Sequence, residues 1–133
     1  MTARAAPNTT SGWDRLAQAV AQAIPPGEVD AVWLFAPLRR DANEWGTAVL
    51  SRLEGERRRI YTARYTLAVK GKERGRFQAT VQDVGTGPVE VLTRVLRDAQ
   101  RRSDDEHPPT AVAPEVWFAS VPPGAAGADA PAG

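Results

Sequence analysis

Residues 45–69 read WGTAVLSRLEGERRRIYTARYTLAV. On either side of Glu54-Gly55-Glu56, apolar and polar residues alternate with a period of two and β-branched and aromatic residues are frequent, the pattern of half-buried strands joined by a turn. The spacing predicts strands over residues 45–53 and 57–69. Taking Glu54-Gly55-Glu56 as a three-residue loop sets Val49 opposite Tyr61 and Trp45 opposite Tyr65, so the larger apolar side chains of both strands share a face.

The same alternation extends in both directions. A five-residue loop over 71–75 leads to a strand over 77–84, with Leu67 opposite Ala79 and Tyr65 opposite Val81, again on that face. Upstream, residues 29–38 (VDAVWLFAPL) are too short between turn signals for a helix and predict the first strand. Before them, Trp13, Leu16, Ala17, Val20 and Ile24 form an apolar stripe at helical spacing. Ser11 with Asp14 has the form of a capping box, and Pro25-Pro26-Gly27 ends the helix. A second helix follows Gly85-Thr86-Gly87, with Pro88 at its first position and Val89, Leu92, Val95, Leu96 and Ala99 on one stripe.

The expected fold class is therefore α+β: a two-layer domain of residues 11–120 with a four-stranded antiparallel meander in the order αββββα and both helices on one face. Residues 1–10 and the Ala/Gly/Pro-rich residues 121–133 are expected to be disordered arms, since neither can bury enough surface to offset its ordering entropy.

Residue types exclude several chemistries. Without cysteine there is no disulfide, thiolate nucleophile or Cys-type metal site. The single histidine, His107, lies in an acidic, proline-flanked loop, so neither a catalytic triad nor a multi-histidine site can be assembled. Asp104-Asp105-Glu106 lacks the ligand spacing of a calcium loop, and no glycine-rich phosphate loop follows a strand. No catalytic residue, metal site or cofactor is predicted. No apolar run is long enough to span a bilayer, and residues 1–10 hold no signal-type apolar stretch, so a cytoplasmic protein without membrane association is expected.

Charge is more informative. The chain carries a net charge of +1, yet residues 28–102 hold 15 Lys and Arg against 10 Asp and Glu. In a meander, alternate loops lie at the same end of the sheet. Arg39 and Arg40 in the first loop therefore join Lys70, Lys72, Arg74 and Arg76 in the third as a basic rim, and Arg52 and Arg64 are expected on the polar outer face. These eight residues are the candidate polyanion-binding set. The run Lys70-Gly71-Lys72-Glu73-Arg74-Gly75-Arg76-Phe77 resembles the Lys-rich Arg-Gly-Arg-aromatic hairpin of Pur-type single-strand nucleic-acid-binding repeats. In those repeats that motif joins the first two strands, whereas here it joins the third and fourth.

The first strand is apolar on both faces, unlike a strand with one face in water. By the registers above, Val32, Leu34, Leu50 and Ile60 form an outer patch. Either the Trp117-Phe118 segment docks on it or a second copy covers it in a two-fold homodimer. The expectation for function is a non-enzymatic protein-interaction module, binding itself or another protein. The alternative is binding of single-stranded nucleic acid or another polyanion through the basic sheet face and hairpin loops.

Overall fold

The computed structural model describes residues 12–103 and 108–119. The proposed N-terminal cap at Ser11, the arms at 1–10 and 121–133, and His107 with its acidic neighbours lie outside the described residues.

Helix α1 (Gly12–Ala23) and a short 3-10 turn (Pro26–Glu28) precede β1 (Ala31–Leu34), β2 (Leu38–Arg40), β3 (Asn43–Glu54), β4 (Arg57–Ala68) and β5 (Phe77–Gly87). Helix α2 (Val89–Arg102), β6 (Thr110–Val112) and α3 (Pro114–Phe118) complete the order. The class is α+β with an antiparallel sheet, but the sheet has six strands rather than four. It runs β5-β4-β3-β1-β6, with β2 pairing β3 beyond β1.

Two strands were not foreseen, for different reasons. The expected first strand divides into β1 and β2 around Pro37, whose ring leaves no N–H for the ladder. Leu34 pairs Ala48 and Leu38 pairs Trp45, so the three residues from Phe35 to Pro37 stand opposite Gly46 and Thr47, a bulge on this edge. Strand β6 comes from the Trp117 segment, which adds Val112 alongside Val32.

The larger correction concerns the layers. Strand β3 pairs β4 with Leu50 opposite Tyr61 and Val49 opposite Thr62, one residue away from the expected register. The turn holds only Gly55 and Glu56, with Gly55 at a φ of 66°. Glycine with positive φ at the first central position is the placement of a II′ hairpin turn. A slip of one residue moves every side chain of β3 to the other face. The β4–β5 pairs instead differ from expectation by two, with Tyr65 opposite Ala79 and Leu67 opposite Phe77, so their faces are unchanged.

The sheet consequently has a core on each face. On one, Leu16, Ala17, Val20 and Ile24 pack with Val32, Ala48, Leu50, Tyr61, Ala63, Tyr65 and Trp117. On the other, Leu92 and Ala99 of α2 pack with Phe35, Val49 and Ile60. The helices therefore cover opposite faces, making three layers, and the expectation of both on one face fails. In α2, Val91 packs against its core while Val89 remains exposed.

Candidate polyanion-binding cleft

Helix α2 starts beside the β3–β4 hairpin end of the sheet and covers only part of its face. Beyond its last turn an open cleft of about 550 Å³ remains. Its floor is built by β3, β4 and β5, which present Trp45, Thr47, Arg64, Thr66, Gln78 and Thr80, while Leu38 and Arg40 flank it from β2 and Arg102 from the end of α2. Among the described residues the lining contains no carboxylate.

The other end of the sheet handles its arginines differently. Arg52 bridges Glu28 and Glu54, Arg59 bridges Glu54 at 2.9 Å and Asp83 at 2.8 Å, and Arg58 pairs with Asp30. Hydrogen bonds donated first by Arg52 and then by Arg59 hold the Glu54 carboxyl below its ordinary range. Elsewhere Arg39 pairs with Glu44 at 2.8 Å, Arg76 with Glu73 at 2.6 Å and Arg101 with Asp98. Arg40, Arg64 and Arg102 make no ion pair among the described residues, nor do Lys70, Lys72 and Arg74 in the 69–76 loop. Arg57, Arg94 and Arg97 are also unpaired there but line none of the clefts described.

The β2–β3 turn and the 69–76 loop meet at one end, where the Val69 amide donates to the Ala42 carbonyl at 2.8 Å. A second depression there is lined by Arg39, Arg40, Asp41, Val69 and Lys70. Arg40 lines both hollows and so links the cleft to Lys70, with Asp41 the one acid in the second hollow among the described residues. Arg15 of α1 braces this loop: it donates to the Gly75 carbonyl at 3.2 Å and lies 4.6 Å from the Phe77 ring centre.

Of the eight basic residues expected to act together, the structure gathers Arg40, Arg64 and Lys70 along these two hollows and leaves Lys72 and Arg74 in the adjoining loop. It assigns Arg39, Arg52 and Arg76 to carboxylates. Arg52 and Arg64 do not share a face, because the β3 register places Arg52 on the α1 side with Tyr61 and Ile24. The apolar patch is likewise divided. Val32 and Leu50 are buried beneath α1 and Trp117, with Leu34 and Phe118 packed alongside, while Ile60 is buried beneath α2.

Sequence reasoning missed Trp45 and Arg102. The expected register sets Trp45 in the core beside Tyr65, whereas it pairs with Leu38 and Thr66 and is 37% exposed. The signal available was Gly55 as the first residue of a two-residue turn, which moves Trp45 to the face of Arg64 and Thr66.

Comparison with protein-family models, curated proteins and solved structures gives no match.

Proposed function

We propose that this protein is a non-enzymatic module that binds a phosphate-rich polyanion in the cleft beside the end of α2. The observation that carries the reading is a lining that holds Arg40, Arg64 and Arg102 and, among the described residues, no carboxylate, in a chain where six other arginines pair with acids. Unmatched cations around a concavity raise the local concentration of anions, and a row of them follows a polymer better than a point charge. The homodimer reading drew its support from an outer apolar patch. With Val32, Leu50 and Ile60 inside the folded chain, that support is weaker than the support for the cleft.

Fluorescence anisotropy with labelled oligonucleotides at low salt tests the proposal. Binding is expected to weaken linearly in log–log form as salt rises, through release of counterions from neutralised phosphates. Replacing Arg40, Arg64 and Arg102 together by Gln is expected to abolish it, whereas Arg52→Gln leaves it unchanged. Retention of full binding by the triple variant would overturn the proposal.

A further inference from the structure

Of the four tryptophans, Trp45 alone belongs to neither apolar core. Trp13 packs edge-on to Tyr65, Trp117 beside Phe118, and Trp33 against the Phe35 core. Trp45 instead stands on the open sheet surface, 37% exposed, in the same cleft as the three unpaired arginines. A bare polyphosphate would engage the arginines and gain little from an indole. A ligand that uses both carries a flat aromatic ring close to its phosphates, because base–aromatic stacking and arginine–phosphate contacts are then made together.

Two further features narrow the class. The bases of a duplex are stacked on one another and offer no free face to a side chain on a sheet floor, so the ring must come from an unpaired strand. Cationic side chains also extend from Arg40 past Asp41 to Lys70 beyond the cleft, more than one nucleotide needs. Thr66, Gln78 and Thr80 bring hydroxyl and amide groups to the same cleft as the indole, able to donate to or accept from a base edge.

From this juxtaposition, and resting on the polyanion reading above, we infer that the cleft takes a single-stranded nucleic acid with one base stacked on Trp45 and the flanking phosphates on Arg40, Arg64 and Arg102. The indole supplies discrimination between a nucleic acid and a bare polyanion, and the arginines supply the salt-dependent part of the affinity.

The test compares a labelled oligothymidine, an abasic oligomer with the same number of phosphates and a duplex, each with wild-type protein, Trp45→Phe and Trp45→Ala at one low salt concentration. The wild type is expected to prefer oligothymidine to the abasic oligomer by about tenfold, as one stacked base supplies, and to prefer it to the duplex. Trp45→Ala should lower oligothymidine to the abasic level and leave the abasic oligomer unchanged, with Trp45→Phe between. Equal wild-type affinity for the two oligomers, tighter binding of duplex, or equal loss of both oligomers in Trp45→Ala would overturn the stacking inference while the polyanion reading stands. Binding of neither oligomer by the wild type would overturn both. A circular-dichroism melt of each variant separates loss of the fold from loss of the ring.

Discussion

The Tyr65 hydroxyl donates to Glu44 Oε2 at 2.6 Å in the α1-side core, while Arg39 donates to the other oxygen of the same carboxylate at 2.8 Å. Glu44 is a buried acid held by one phenol and one guanidinium whose own side chain is largely exposed. Tyr65→Phe removes one of the two donors from a carboxylate with little access to water. We expect a loss of about 1.5–3 kcal/mol, the range for hydrogen bonds to charged groups, read from urea denaturation.

Burial, and then the bond to Glu44, hold the Tyr65 phenol above the usual tyrosine range. An acid whose pKa is higher in the folded chain contributes fully below its unfolded pKa of about 10 and loses that contribution as pH rises beyond it. Stability should therefore fall above about pH 10, and the fall should be shallower in Tyr65→Phe. Denaturation midpoints of the two proteins across alkaline pH check the sign.

The Tyr65 ring lies between two glycines. A Cβ at Gly46 would stand 2.1 Å from Tyr65 Cε2, and one at Gly12 would stand 2.4 Å from Cζ. Gly46→Ala is expected to destabilise by at least about 1–3 kcal/mol, the cost of overpacking a fixed core. Gly27→Ala, with nothing within 4 Å of the new Cβ, should be close to neutral in the same melting experiment.

Leu16 and Leu92 belong to cores on opposite faces of the sheet. Each change to Ala should cost about 2–5 kcal/mol. Because the two sites share no partners, the double variant should equal the sum of the singles within about 0.5 kcal/mol. A larger coupling energy would mean that the helices meet over one face.

Glu54 accepts from Arg52 and Arg59 on the surface. Its carboxyl carbon, followed by NMR as acid is added, should titrate below the ordinary glutamate range. Replacing Arg52, the stronger cause of the shift, by Gln should move the midpoint upward. The stability that Glu54 contributes is present above its unfolded pKa and is lost as pH falls through the lower folded value.

The antiparallel hairpins and both long helices were legible from alternation, helical spacing and turn residues, whereas Arg39 and Arg40, expected in the first loop, lie in β2, because that edge resumes pairing after the bulge at Pro37. The face of β3 was not. Trp45, Thr47 and Val49 on one phase and Ala48 and Leu50 on the other are both plausible inner faces, and a strand covered on both sides gives no alternation by which to choose. The choice fell to the length of the Glu54–Arg57 turn, and one residue there reversed the strand. That reversal hid Trp45 among the expected core residues and placed Arg52 beside Arg64. Net charge located the basic region, but which arginines are matched depends on acids distant in sequence, such as Glu28 and Asp30 for Arg52 and Arg58.

The bulge before β2 has a consequence for its two arginines. Counted by strict alternation from Trp33, Arg39 would fall on the α2 side and Arg40 on the side of Glu44. The extra residue between Leu34 and Leu38 exchanges them, so Arg39 lies opposite Glu44 and Arg40 opposite Asn43. Two neighbouring residues of identical chemistry are thereby given opposite duties, one neutralising a buried acid and the other left free at the cleft. A shift of phase along a single edge, with no change of amino-acid type, separates an arginine held by a carboxylate from one that faces the cleft.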